Sequence, residues 1–418
     1  MSVIVCGGNM KDSRSSLATT ALAATLLAIF LAAAGLPANA ADKVLYSFKG
    51  GDDGSNPEAA LVADHSGNLY GTTSGGGGAC GCGIVFMLSP PARQGGAWVE
   101  TVLYRFQGDE AATPEAGLIF DAAGNLYGTT SHGGASNDGT VFKLTPPSAP
   151  GGNWTETTLY EFQGGNDGEY PVASLAFDKS GNLYGTTLFG GGPPQVGIVF
   201  QVSPPTAPGG NWTETVLHRF GHGRDGADPK GALLIDNRGA LYGTTMSGVV
   251  FKLTPPAPGH DQWTERGLYA FSGFEDGNEP SYIIARGGSI YGAATLGGNV
   301  NHGTVFQLTP QPGAWKETTL YSFQGGSDGG LPVGQLFADR SGNLYGTTYA
   351  GQQPDNGTVF RLSSKSGTWI KTTLHEFGGA GDGATPNGGL VKAKGGALYG
   401  TTYNGGAFGN GVVYAVAP

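Results

Sequence analysis

Short apolar stretches recur along the chain, each bounded by glycine, proline, asparagine or aspartate. One repeat contains four of them in order: Glu115–Asp121, Asn125–Thr130, Gly139–Pro146 and Trp154–Phe162. Stretches of six to nine residues between turn residues are typical of antiparallel strands in a meander. Their apolar and small residues fall on both strand faces, which predicts sheets covered by a neighbouring sheet on each side. No stretch beyond the N-terminal segment has the periodicity of an amphipathic helix.

The same three motifs return in fixed order seven times, and this fixes the architecture before any local interpretation. "GNLYGTT" is present four times, and looser copies bring the motif tyrosines to seven: Tyr70, Tyr127, Tyr184, Tyr242, Tyr291, Tyr345 and Tyr399. A leucine motif "LYxF" or "LHxF" and a motif "G[TIV]V[FY]" keep step with them. Gly128, next to a motif tyrosine, predicts that a sheet or ring packs closely over it.

Seven four-stranded units predict an all-β fold, a seven-bladed β-propeller of antiparallel blades, in which repetition hides most strand edges. Lys43–Phe48 has the pattern of a lone outer strand, and the chain ends on Gly411–Pro418, the third strand of a unit. We therefore expect the N-terminal strand to complete the last blade and close the ring. The alternative fold is an open β-solenoid, which the repeat length and the terminal strands disfavour.

Residues 1–40 differ from the rest. An apolar run from Leu17 to Gly35 follows Lys11 and Arg14, and Ala38 and Ala40 fit a secretory cleavage site before Ala41. We predict a signal peptide at 1–40, with Met10 as an alternative start, and the propeller at 41–418. An uncleaved membrane anchor is the alternative.

Composition limits the partners. The formal net charge of −10 disfavours nucleic acid and anionic lipid. The mature chain would keep only Cys80 and Cys82, so disulfides cannot hold the fold together. A Cys80–Cys82 bridge and a pair of free thiols both remain open.

The motif series "LYGTT…GG…G[TI]VF" with "LYxF…DGxxP" resembles the GloVer tandem repeat of exported bacterial proteins. The resemblance covers essentially all of residues 42–418 and implies an exported bacterial repeat protein. It supplies no activity and no catalytic residues. No C-terminal hydrophobic tail follows Tyr414, so we expect no anchor and a secreted, extracellular or periplasmic protein.

One face of a propeller carries the loops from each outer strand to the next inner strand (inward loops), together with the loops between second and third strands (upper loops). The inward loops repeat an Asp-Gly pair, at Asp53, Asp167, Asp225, Asp276, Asp328 and Asp382, with Glu110 in the equivalent place of one unit. These carboxylates could bind calcium or sugar hydroxyls. The competing interpretation is that each aspartate only builds its turn.

Departures from the repeat are the other candidate sites, because catalysis needs an asymmetric group of residues. The upper loop at Met246–Gly248 is shortened, which predicts a notch, with His222, Arg224, Asp225 and Asp276 beside it as candidate binding residues. The alternative is a harmless deletion, which surface loops tolerate readily. His132 and His302 lie in loops of the same face without metal-ligand spacing. No nucleophile elbow, zinc-protease motif or P-loop is present, so no catalytic or metal-ligating residue is assigned.

These observations favour a secreted binding module, monomeric, with an unknown glycan or protein ligand and no cofactor unless calcium binds. The alternatives are an extracellular polysaccharide hydrolase or lyase and a structural cell-surface or matrix component, since propellers host all three classes.

Overall fold

The computed structural model describes residues 43–418 except Gln94, Pro150, Pro208, 352–355 and 379–380. The predicted signal peptide therefore lies outside the described residues. The strands are β1 (Lys43–Ser47); β2 (Val62–Ala63), β3 (Leu69–Thr73), β4 (Ile84–Ser89) and β5 (Val99–Arg105); β6 (Ile119–Phe120), β7 (Leu126–Thr130), β8 (Thr140–Thr145) and β9 (Thr155–Glu161); β10 (Ala176–Phe177), β11 (Leu183–Thr187), β12 (Ile198–Ser203) and β13 (Thr213–Arg219); β14 (Leu234–Ile235), β15 (Leu241–Thr244), β16 (Val249–Thr254) and β17 (Thr264–Ala270); β18 (Asn278–Arg286), β19 (Ser289–Leu296), β20 (Thr304–Gln311) and β21 (Ala314–Ser322); β22 (Gly330–Ala338), β23 (Leu344–Ala350), β24 (Thr358–Lys365) and β25 (Thr368–Glu376); β26 (Val391–Lys392), β27 (Leu398–Thr402) and β28 (Val412–Val416).

The strands form seven antiparallel sheets of four strands, as the repeats predict. Blades 1 to 6 are β2–β5, β6–β9, β10–β13, β14–β17, β18–β21 and β22–β25, each in chain order. Blade 7 is β26–β27–β28 completed by β1, which pairs along β28 from Lys43 opposite Ala415 to Ser47 opposite Val412. The seven-bladed propeller and its closure by the N-terminal strand are confirmed. Two one-turn 3-10 helices, Gly51–Asp53 and Gly326–Asp328, lie in inward loops.

The innermost strands of five blades are shorter than their apolar sequence predicts. The predicted strand Glu115–Asp121 is reduced to Ile119–Phe120, and blades 1, 3, 4 and 7 are alike, whereas β18 and β22 have nine residues. The preceding residues bond across blades instead: the Thr72 hydroxyl of blade 1 donates to the Ala116 carbonyl of blade 2 at 3.0 Å. The last such bond runs from Thr401 of blade 7 to the Ala59 carbonyl of blade 1 at 2.9 Å. The inner segments therefore join neighbouring blades.

The "GNLYGTT" motif is explained by packing and turn formation. In its first copy, the Asn68 amide and the Tyr70 hydroxyl donate to Asp64 of the preceding turn at 2.7 and 3.2 Å, and Leu69 is fully buried. The Tyr70 ring packs edge-on against Phe120 and Trp154 of the next blade. The repeated tyrosines thus cross-link adjacent blades, and tryptophans at the starts of outer strands pack against them, as expected for a structural role.

The motif glycine leaves room for a ring on the next strand. A Cβ on Gly128 would lie 2.7 Å from Cζ of Phe142 and 3.1 Å from a Leu118 methyl carbon. The predicted close approach over Gly128 is confirmed.

We expect Gly128→Ala to destabilise the protein by about 1–3 kcal/mol, because Phe142 must leave its position in an already filled core. The free energy of unfolding in urea measures the cost. Gly128→Ala combined with Phe142→Leu should recover part of it; an unchanged stability of the single variant would show that the ring contact does not constrain this position.

Candidate functional site

The inward and upper loops pair with one another on one face of the ring. Ser55 and Gly75 exchange two backbone hydrogen bonds, with N–O distances of 2.9 and 3.0 Å, and Ala112 and His132 do the same at 2.9 and 3.1 Å. These two loop sets therefore share a face, which we call the loop face.

The repeated aspartates of the inward loops bond within the protein. Asp167 accepts hydrogen bonds from the Tyr160 hydroxyl at 2.9 Å and from the Gln163 backbone N–H at 2.7 Å. The same pairing to an outer-strand tyrosine or histidine occurs at Asp53 with Tyr46, Asp225 with His218, Asp276 with Tyr269, Asp328 with Tyr321 and Asp382 with His375. Within the described part of the chain, no cluster of three or more His, Cys, Asp or Glu is placed to hold a metal ion. The geometry supports turn formation as their role.

We expect calcium or a chelator to leave the melting temperature unchanged. A ligand of the native state must raise the midpoint of thermal unfolding, and the oxygens of Asp167 and its equivalents already accept local hydrogen bonds. Thermal melts with calcium and with EDTA test this expectation. A saturable, calcium-dependent rise that Asp167→Asn reduces would instead make these carboxylates a metal site.

The four residues predicted to line a notch are not drawn into one cluster by hydrogen bonding. Asp225 accepts from His218 at 2.7 Å and Asp276 from Tyr269 at 2.9 Å, each within its own loop. His222 has left-handed backbone (φ 73°), and His222 and Arg224 are exposed. Binding at these positions stays a prediction.

The other singled-out side chains are also placed by local contacts. The His132 ring stands 2.9 Å from the Ser131 hydroxyl and edge-on to Tyr170, and His302 packs beneath the Gly325 backbone. Cys80 and Cys82 are joined in a disulfide.

A cavity of about 190 Å³ lies where all seven blades converge. Each blade contributes to it the residue that follows the proline of its inward loop or a residue next to it. Residues supplied by every blade of a closed ring can surround one space only at its axis. We call this space the axial cavity.

The backbone before each of these prolines positions the wall of the cavity. All seven preceding residues are left-handed although none is glycine, with φ between 54° and 60°: Asn56, Thr113, Tyr170, Asp228, Glu279, Leu331 and Thr385. The Thr113 N–H donates to the Cys82 carbonyl of the preceding blade at 2.8 Å, and the Tyr170 N–H donates to the Asp138 carbonyl at 3.0 Å. Such conformations cost about 1–3 kcal/mol each and persist only where the surroundings enforce them. The residue after each proline is therefore held rigidly towards the axis.

The seven residues that follow these prolines form a ring around the axial cavity, and their chemistry differs from blade to blade. From blade 1 to blade 7 it reads Glu58, Glu115, Val172, Lys230, Ser281, Val333 and Asn387. Most other repeated positions carry the same or similar residues and are explained by packing and turns. An asymmetric set of carboxylates, an ammonium and an amide on a uniform scaffold is what ligand recognition requires.

The acidic side of the ring spans adjacent blades. Burial raises the pKa of Glu58, and the nearby Glu115 carboxylate raises it further, while Ser74 and Lys230 act in the opposite direction. The Asn387 amide donates to Glu58 Oε2 at 3.5 Å, and Ser131 donates to Glu115 Oε1 at 3.2 Å. Glu58 and Glu115 are thus held by neighbours and keep oxygens available to a ligand.

Tyr282 lines the same cavity and, like the residues that follow the prolines, was not predicted from the sequence. Burial, and secondarily Glu58 and Glu115, raise the pKa of Tyr282 to about 12, so the phenol is neutral at physiological pH. The spacing from proline to the buried apolar residue is four positions in blade 1 (Pro57 to Leu61) but three in blade 5 (Pro280 to Ile283), and the pairing of β18 with β19 is irregular there. A β-bulge of this kind re-aims a side chain. The shortened spacing was the signal in the sequence.

Sequence comparison identifies the repeat. The family described as the Gloeobacter/Verrucomicrobia repeat matches residues 35–176, 99–282 and 246–418. The chain belongs to this family. A search of curated proteins gives no match.

Solved structures share the fold. Two crystal structures of the extracellular domain of the B. thetaiotaomicron protein BT4673 are similar, with TM-scores of 0.54 and 0.52 at 13% and 10% identity. They cover 91% and 89% of this chain, which spans only 42% and 39% of theirs. At this identity the likeness establishes the propeller fold alone. Among the described residues, none belongs to a helix of the length and apolar character needed to cross a membrane.

Proposed function

We propose that this protein is an extracellular binding module that holds its ligand at the axial cavity of the loop face. The observation that carries the proposal is the asymmetric ring from Glu58 to Asn387 on an otherwise repetitive scaffold. The extracellular assignment is supported by the predicted signal peptide and by the likeness to extracellular domains of the same fold. The acidic composition favours a monomer that binds neither nucleic acid nor anionic membranes.

The dimensions of the cavity favour a small ligand or one terminal unit of a polymer. Pockets for drug-sized ligands have about 300–1,000 Å³, more than the 190 Å³ of the axial cavity. Its lining combines hydrogen-bonding groups with the apolar Val172, Met246 and Val333. A sugar ring presents hydroxyls at its edge and C–H groups on its faces, so this mixed lining suits the terminal unit of a carbohydrate.

A glycan array followed by calorimetry on the purified protein tests the proposal. The variants Glu58→Gln and Glu115→Gln should each weaken binding of the ligand about tenfold, because a charge-assisted hydrogen bond is replaced by a weaker one. Glu275→Gln is the matched control, since Glu275 is an exposed glutamate of the inward loop of blade 5. Binding that is unaffected by both cavity variants would exclude the axial cavity as the site.

A hydrolase is the second candidate, favoured by one observation. Glu58 has a raised pKa and lies near a second carboxylate, Glu115, the combination of acid and base on which glycoside cleavage depends. Release of reducing ends from a bound oligosaccharide, abolished by Glu58→Gln, would establish turnover; saturable binding without products would leave the binding module.

A further inference from the structure

The charge of the axial cavity is unbalanced. Its lining includes three carboxylates, Glu58, Glu115 and Glu279, against one ammonium, Lys230, a net charge of −2 when all four are ionised. Part of the wall is apolar, and walls of low polarity focus the field of fixed charges into a cleft. The cavity therefore attracts a cation more strongly than a neutral group.

The two glutamates Glu58 and Glu115 repel each other when both are ionised, and a bound cation would offset this repulsion. Glu58 and Glu115 lie on neighbouring blades, close enough for the Glu115 charge to oppose ionisation of Glu58. Lys230 comes from blade 4 and is exposed, so it offsets this repulsion only in part. A positively charged ligand group placed between the two carboxylates would offset it directly.

The available hydrogen-bond partners fit an ammonium group, which has three donors and no acceptor. Glu58, Glu115 and the neutral Tyr282 phenol supply oxygens to one cavity. We propose that the ligand unit recognised in the axial cavity is an amino sugar with a free amine, its ammonium bound between Glu58 and Glu115. This inference rests on the proposed carbohydrate-binding function and specifies the group that is recognised.

Three trisaccharides of the same linkage separate the possibilities in calorimetry: tri-glucosamine, tri-N-acetylglucosamine and cellotriose. Tri-glucosamine should bind at least tenfold more tightly than the other two, with an affinity that falls as salt is added or as the pH rises above the pKa of its amines. Glu115→Gln should remove most of this preference, whereas the control Glu275→Gln should leave it. Melting temperatures of the variants confirm that they fold.

Lys230→Met gives the sharpest test because its expected sign is unusual. Removing a competing cation should tighten tri-glucosamine binding several-fold, although a polar contact is lost. The amine assignment would be overturned if cellotriose or tri-N-acetylglucosamine bound more tightly than tri-glucosamine. It would also be overturned if Glu275→Gln reduced the preference for tri-glucosamine as much as Glu115→Gln does. Either result would leave the proposed binding function standing. Failure of every glycan to bind would overturn both proposals.

Discussion

Deletion of residues 43–48 is expected to destabilise the protein by at least 5 kcal/mol, on the order of 10 °C in melting temperature. The deletion removes the fourth strand of blade 7 and exposes the edge of β28. It also removes Phe48, which is fully buried and packs edge-on against Phe86 of blade 1 at 5.1 Å between ring centroids. A single buried phenylalanine contributes about 3–5 kcal/mol, and the ladder to β28 adds to it.

Thermal melts compare the deletion with a protein that begins at Lys43. A synthetic peptide covering residues 41–50, added in excess, should restore much of the lost stability, because it can rebuild the β1–β28 ladder. Phe48→Ala separates the contribution of the side chain from that of the strand. A deletion protein that melts with the parent would contradict closure of the ring by β1.

The fold could be predicted because the same four-strand pattern recurs seven times in the sequence. Period, motif order and the unpaired strands at the two ends define blade number and closure without any tertiary information. The length of the inner strands could not be predicted: Glu115–Leu118 is apolar enough for a strand, but its Ala116 carbonyl bonds to Thr72 of the neighbouring blade instead of to a strand of its own sheet.

The candidate site was harder to predict, for a physical reason. The residues of the ring are one per blade and about 50 to 60 positions apart, so only closure brings Glu58, Glu115 and Lys230 together. The shortened loop at Met246 is visible in the sequence and does line the axial cavity, whereas the residue after each proline varies inside an otherwise regular motif. This variation is visible only when the seven units are aligned on that proline.

The second large prediction concerns the contacts between the outer strands of neighbouring blades, which we call seams. Near the start of each outer strand of blades 1 to 5 stands a glutamate, at Glu100, Glu156, Glu214, Glu265 and Glu317, whereas blade 6 has Lys371. Lys371, with a side chain only 3% exposed, donates to Asp328 Oδ1 at 3.2 Å and to Thr373 Oγ1 at 2.8 Å. In the other seams an acidic residue of the inward loop lies near the glutamate. Among the described residues, Oε1 of Glu100, Glu214 and Glu265 is buried without a hydrogen-bond partner.

These like-charge seams make stability depend on pH. Burial, and after it the neighbouring aspartate, raises the pKa of Glu317 and of Glu265 to about 7 and of Glu214 to about 8, from an ordinary value of 4.5. A raised folded-state pKa means that the native state binds more protons than the unfolded state above pH 4.5. The contribution of these three glutamates to the free energy of unfolding is thus complete below pH 4.5 and is lost as the pH rises through 7 to 8. Asp64 and Asp121 have lowered pKa values, so stability also falls in stronger acid, and we expect a maximum near pH 5.

Exchanging the charges of two equivalent seams tests this explanation. Lys371→Glu breaks a buried ion pair and leaves Asp328 facing a like charge, so it should cost about 3–5 kcal/mol at pH 8 and less at pH 5, where the new glutamate is protonated. Glu317→Lys should do the opposite, because Asp276 and Thr319 stand where Asp328 and Thr373 stand in blade 6; it should stabilise at pH 8 and flatten the pH dependence. Urea unfolding at both pH values gives the free energies, with Glu275→Lys as the exposed control. Equal effects of Lys371→Glu at pH 5 and pH 8, or destabilisation at pH 8 by Glu317→Lys, would show that packing rather than charge determines the residue at the seam.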